Sequence, residues 1–142
     1  AQKPLYCSTN DYYDCEIGCR KIAGFMEEHL KEAGVDLFLA GHLHNYERTW
    51  PVFRGAVEAR SYSSPSAPVH AVVGMAGDVE GLSDKWMAAP DWRATKDARL
   101  GFAMLHFRNA SVMEFEYVLS ETGKVADGFT LTKSRLSDVV VL

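Results

Sequence analysis

The run Val35-Asp36-Leu37-Phe38-Leu39-Ala40 opens directly into Gly41-His42-Leu43-His44, and this junction constrains the fold more than any other stretch of the chain. A short apolar segment bounded by Gly34 and Gly41 reads as a buried strand. Such a strand needs hydrogen-bonded neighbours and cover on both faces, so the chain must build a sheet with layers packed against it. Upstream, Ile22, Phe25, Met26, Leu30 and Ala33 recur at helical spacing, with Lys21, Glu27, Glu28, Lys31 and Glu32 opposite. That pattern predicts an amphipathic helix over 17–33 closed by Gly34. Loop, helix, strand and loop in this order form the second half of a βαβ-like crossover, and ligand loops in such folds sit at the carboxyl ends of strands.

The remaining chain reads as α/β with a mainly antiparallel second half. Residues 1–14 and 41–47 are predicted as loops, and 55–68 as an exposed excursion. Val69–Val73 is a short β-branched strand, and 74–99 holds glycines and prolines in the irregular order of long loops. Leu100–Phe107 and Val112–Leu119 alternate as strands, Glu121-Thr122-Gly123-Lys124 marks a turn, and Ala126–Thr132 is the last strand. At 142 residues the chain is one domain.

A net charge of -4 without a Lys/Arg cluster gives no electrostatic basis for binding nucleic acid or an anionic membrane surface. No apolar run approaches the roughly 20 residues of a membrane helix. The chain starts with Ala1, not Met, which reads as a cut point. Cys7, Cys15 and Cys19 permit one internal disulfide: Cys7–Cys15 closes the favoured short loop, and Cys7–Cys19 is the alternative. A zinc site built from all three lacks a Cys-x-x-Cys knuckle. Asn109-Ala110-Ser111 is an N-glycosylation sequon, and together with the cysteines it points to a secretory protein.

In an extended segment, residues two apart point the same way, so His42 and His44 are expected to face one site. Neutral imidazole is a common ligand of zinc, iron and related metals. Asn45 is placed to orient a histidine, meet substrate or close the turn. Tyr46, Glu47 and Arg48 are candidates to support the ligands from behind, the plainer expectation being packing for Tyr46 and an ion pair between Glu47 and Arg48. His70 is expected in a core or on a sheet face, His106 on a solvent-facing strand position and His29 at the edge of the helix stripe. Asp11, Tyr12, Tyr13 and Asp14 read as a solvated loop or a substrate entrance.

Gly41 through Arg48 matches, at every fixed position, the Gly-His-x-His-x-Tyr-Glu-Arg motif of the purple acid phosphatases, within the calcineurin-like metallophosphoesterases. Lys3-Pro4-Leu5-Tyr6-Cys7-Ser8 is similar to the family's His-Arg-Pro-Met-Tyr-Cys-Ser segment. Pro68-Val69-His70, the loop Gly74 to Leu82 and the segment Glu121 to Asp127 resemble later family stretches.

The resemblance implies the C-terminal portion, residues 1–142, of a single catalytic domain: a layered β-sandwich with flanking helices. It implies an acid phosphatase that hydrolyses small phosphate monoesters through a dinuclear centre of iron with zinc, manganese or a second iron. In that family the first histidine binds the divalent metal and the second the ferric ion, which gives those roles to His42 and His44. The family's Asp-x-Gly, Gly-Asp-x-x-Tyr and Gly-Asn-His-Glu motifs do not occur here, so the implied partner is the N-terminal part of the same domain. Gln2 stands where the family places a further metal-binding histidine, and a glutamine amide substitutes poorly for imidazole. No general acid is assigned to this chain. A non-catalytic binding or structural module with a degenerate site, or a phosphodiesterase or nucleotide hydrolase of the same superfamily, are the competing expectations. The resemblance places the protein in a secreted or lysosome-like setting.

Overall fold

Leu37–Ala40 (β1) is covered on both faces, Leu37 in one core and Phe38 and Ala40 in the other. The computed structural model describes residues 1–10, 12–77, 79–134 and 140–142, and for Tyr12 the backbone alone. Ahead of β1, residues Tyr12–Gly18 form a wide helical turn that runs into α1, Cys19–Glu32. After it come β2 (Tyr46–Thr49), β3 (Val52–Phe53), β4 (Ala56–Val57), β5 (Val69–Val73), β6 (Arg93–Asp97), β7 (Gly101–Asn109), β8 (Val112–Leu119) and β9 (Val125–Thr132).

The first sheet has the order β1-β5-β2-β6. β1 and β5 run parallel, with Leu37 opposite Val69, whereas β2 runs antiparallel to both β5 and β6. The second sheet is the antiparallel meander β7-β8-β9, and β3-β4 is a separate small hairpin. The fold class is therefore α/β with a largely antiparallel second half.

Strand alternation sorts the side chains into two cores. Leu37, Tyr46, Val69, Ala71 and Met75 meet Met113, Phe115, Tyr117, Phe129 and Leu131 of the second sheet. On the opposite face, Phe38, Ala40 and Val52 pack with Leu5, Tyr6, Val35 and the Ala23 and Leu30 stripe of α1. The molecule is thus layered helix, sheet, sheet. Stacked rings reinforce the inter-sheet core, with Tyr46 on Tyr117 at 4.4 Å and Phe115 on Phe129 at 5.1 Å between centroids.

Three sequence expectations change. Residues 41–47 are not all loop, since Tyr46 opens β2. Residues 74–99 contain β6, and part of the 1–14 loop is helical turn. β2 and β6 were hidden for the same reason: Tyr-Glu-Arg-Thr and Arg-Ala-Thr-Lys-Asp have no apolar alternation. Yet all four residues of β2 are buried, their polar groups held by distant partners. His70 is buried in the sheet, His29 is exposed on the helix, and His106 is half-buried beside Glu116 at 3.3 Å.

Candidate functional site

The loop between β1 and β2 is not extended. The Leu43 N–H donates to Gly41 O at 2.8 Å and the Asn45 N–H to Leu43 O at 2.8 Å, so two consecutive γ-turns carry His42 and His44 at their apices. His42 has φ 65°, the rarer and strained form of this turn. The expectation that alternation alone aims both rings one way is therefore corrected: each ring is placed by its own turn.

Outside contacts fix both rings. His44 Nδ1 donates to Gly81 O at 2.8 Å, the tautomer this bond requires, which leaves Nε2 as its lone-pair nitrogen. The backbone N–H of His44 reaches Ser83 Oγ at 3.3 Å, and the Asn45 amide donates to Ser83 O at 3.2 Å. His42 Nε2 lies 2.8 Å from Asp14 Oδ2, a close contact without the alignment of a hydrogen bond. Lys3 Nζ donates to Asp14 Oδ1 at 2.8 Å and holds that carboxyl below the usual range, with His42 adding to the effect. Asn45 is fully buried, and its Oδ1 has no hydrogen-bond partner among the described residues.

The loop rests on Gly74. Its N–H donates to Asn45 O at 3.1 Å, and a Cβ at this position would overlap the Leu43 carbonyl. Gly74 is thus the floor of the histidine loop, with Gly81 and Ser83 on its far wall. Ala1 O accepts the Gly41 N–H at 3.2 Å, which brings Gln2 beside the start of the loop.

Tyr46, Glu47 and Arg48 anchor the loop to both cores, and the expected Glu47–Arg48 ion pair does not form. Alternation turns the two residues to opposite faces of β2. Arg48 pairs with Asp127 of β9, Nε to Oδ2 at 2.9 Å and Nη2 to Oδ1 at 3.0 Å, and Tyr46 donates its hydroxyl to the same carboxylate at 2.6 Å. Glu47 accepts the Ser8 N–H at 2.8 Å and also the Ser8 hydroxyl, which in turn receives Arg93 Nη1 at 2.7 Å. Burial pushes the Glu47 carboxyl up, against the Ser8 bonds that favour its charge.

Cys7 and Cys15 form a disulfide, and Cys19 Sγ lies buried 3.1 Å from Cys7 Sγ. The three sulfurs touch in one apolar cluster with Leu43 and Val72, behind the histidine loop. Asn109 stands at the exposed β7–β8 turn, its Oδ1 accepting the Ser111 N–H at 2.8 Å. Tyr13 is exposed, while Asp11 and the Tyr12 side chain lie outside the described residues. A cavity of about 700 Å³ lies away from the histidines, between α1 and the 87–92 segment, with Tyr6, Glu27, Met87 and Trp92 on its walls.

Among the described residues no group of three or more His, Cys, Asp or Glu is placed to hold a metal ion. The chemistry of the donors present, two oriented imidazoles, fits part of a metal site and not a closed one. Sequence reading missed Asp14, Gly81, Ser83, Ser8 and Arg93 as supports. Two of them sit in stretches that the motif comparison had already marked, Gly81 in the glycine-rich loop and Ser8 in the Tyr-Cys-Ser segment.

An α/β sandwich that carries a Gly-His-x-His loop at the carboxyl end of a buried strand defines a metallophosphoesterase fold. Residues 67–128 match the family model described as iron/zinc purple acid phosphatase-like protein C. The chain is 36% identical over 150 residues to acid phosphatase type 7 of Danio rerio, covering 94% of this chain and 33% of that protein. It is 34% identical over 139 residues to the probable inactive purple acid phosphatase 24 of Arabidopsis thaliana, covering 94% and 22%. A purple acid phosphatase isolated from yellow lupin seeds superposes with a TM-score of 0.84 at 27% identity, over 95% of this chain and 24% of that one. The chain belongs to the purple acid phosphatase family. It spans about a third or less of the length of the curated relatives it matches.

Proposed function

We propose that this chain is the C-terminal, histidine-bearing portion of a catalytic domain that hydrolyses small phosphate monoesters. His42 and His44 are two donors to a dinuclear centre of iron with zinc, manganese or a second iron. The remaining donors come from the N-terminal part of the same domain. One observation carries the reading: two histidines on consecutive γ-turns, at the carboxyl end of β1, each fixed from outside the loop. Rigidly oriented imidazole is what a metal site asks of its protein.

When bound, a two-metal centre stabilises the charge that develops on the attacking and leaving oxygens of a displacement at phosphorus. This chain's own residues orient and shield. Gly81 O sets the His44 tautomer, Asp14 faces His42, and Gly74 keeps the loop seated. The Cys7–Cys15 disulfide and the exposed Asn109 sequon fit an oxidising, secretory or lysosome-like compartment. Among the described residues no helix is long and apolar enough to cross a membrane.

The test is metal content and hydrolysis of a simple aryl phosphate by the longer protein. Two tightly held metals, with activity reduced at least ~100-fold by His42→Ala or His44→Ala, are expected. A second reading, a non-catalytic module, is favoured by the resemblance to a relative named probably inactive and by Gln2 at the mouth of the loop. A longer protein that holds no metal and turns over no phosphate ester establishes that reading and overturns the first.

A further inference from the structure

α1 carries a carboxylate in its buried stripe. Cys19, Ala23 and Glu27 recur every fourth residue and turn one face inward, although Glu27 reads in sequence as part of the charged face. A buried carboxylate is costly unless its oxygens are bonded. Glu27 meets half of that requirement. Its Oε1 accepts the Tyr6 hydroxyl and also the Arg54 N–H, the latter at 2.9 Å. Burial pushes the Tyr6 phenol up, which keeps it a donor, and its oxygen accepts the Gly55 N–H at 2.9 Å. Glu27 Oε2 accepts no hydrogen bond among the described residues, and it remains open to solvent.

Glu27 lines the cavity between α1 and the 87–92 segment. Tyr6 and Trp92 line it as well, their rings meeting edge to face at 5.2 Å between centroids. Met87, Ala88 and Pro90 add apolar wall. Two arginines stand at the same cavity, and each has a carboxylate of its own. Arg20 Nη2 lies 3.0 Å from Glu16 Oε2, and Arg54 pairs with Glu28. Glu27 is in no ion pair among the described residues.

The cavity therefore combines a carboxylate that lacks a cation, aromatic surface and apolar walls. An ammonium group on an apolar body answers all three. It donates to Oε2, its charge faces the rings, and its body covers the walls. An anion meets Glu27 and gains only arginines that are already paired. A neutral apolar molecule leaves the Glu27 charge unmatched.

We propose that this cavity binds a small amphipathic amine, a primary ammonium carried on an aromatic or aliphatic body, with Glu27 as its anchor and Tyr6 and Trp92 beside the charge. Its volume, about 700 Å³, is that of a small-molecule site. Among the described residues none of the histidine loop lines it. The site is thus separate from the metal reading, and neither depends on the other.

The experiment is calorimetric titration of the longer protein with three probes of similar shape: phenethylammonium, phenethyl alcohol and phenylacetate. The ammonium is expected to bind at least ~10-fold more tightly than either of the others. Alcohol or phenylacetate binding as tightly as the ammonium overturns the proposal, and so does an ammonium that gives no binding at millimolar concentration. This series needs no variant and does not depend on one folding. Glu27→Gln keeps an acceptor for Tyr6 and Arg54 and removes the charge, so it is expected to bring the ammonium down to the affinity of the alcohol. Trp92→Leu is expected to weaken the ammonium at least ~3-fold. Unchanged ammonium affinity in a folded Glu27→Gln protein places the amine elsewhere and overturns the assignment. None of these readouts involves metal or hydrolysis.

Discussion

Arg48 and Asp127, 79 residues apart in sequence, form a two-pronged ion pair that joins the motif strand β2 to the last strand of the opposite sheet. Their side chains are 7% and 19% exposed, and Tyr46 shares the carboxylate. Removal of one partner of such a pair leaves a buried charge unmatched, at a cost of about 3–5 kcal/mol. Asp127→Ala is expected to lower stability by that amount, read as a reduced midpoint in denaturant at unchanged slope. A shift below about 0.5 kcal/mol removes the pair from the list of supports.

Gly74 is where the histidine loop is most exposed to a small change. Gly74→Ala forces the Leu43 carbonyl to move, because the added methyl has nowhere else to go. We expect a loss of at least about 2 kcal/mol. The ring signals of His42 and His44 should shift while that of His29, far along α1, stays in place. Unmoved His42 and His44 signals contradict the seating described here.

His70 sets an acid limb. Burial lowers its pKa from 6.5 to about 3, and its ring is wedged between Tyr6 and Phe38 with Nδ1 unpartnered among the described residues. A base whose pKa falls on folding stabilises the native state above its ordinary pKa. That contribution is lost as pH drops from 6.5 toward about 3, with a slope of up to ~1.4 kcal/mol per pH unit. His70→Leu should flatten this limb and leave stability near pH 7 equal or higher. The difference between the two chains cancels Glu47, whose raised pKa acts in the opposite sense: its contribution is present below the ordinary carboxyl value and lost above it. Parallel pH curves for the two chains would show that His70 is not the group responsible.

The contact between Cys19 and Cys7 predicts a choice of disulfide. With Cys15→Ser, oxidation should join Cys7 to Cys19, whose sulfurs already lie 3.1 Å apart. With Cys19→Ser, the Cys7–Cys15 bond should persist. Peptide mapping by mass decides both, and a chain that stays fully reduced after Cys15→Ser would refute the prediction.

The apolar layers were legible in the sequence because each residue there announces its own burial. Leu37–Ala40, Val69–Val73, the α1 stripe and the β7–β9 meander all follow from period and turn chemistry. The histidine pair was legible from its motif. The polar strands were not. Glu47 is buried only because Ser8 and Arg93 come to it, and Arg48 only because Asp127 does. Nothing within Tyr-Glu-Arg-Thr states those partners, since satisfaction of a buried polar group is a property of the assembled fold. Asp14 was partly legible: in sequence it belongs to a stretch that reads as a solvated loop or a substrate entrance, and in space it faces His42.

β2 sends Tyr46 and Arg48 into one core and Glu47 with Thr49 toward the other. A partly folded chain with one layer in place would strand charged groups in the interior, so β2 has no comfortable halfway state. Correct presentation of the two imidazoles thus reports on completion of the whole sandwich. A reagent that senses the histidine pair would distinguish finished molecules from unfinished ones.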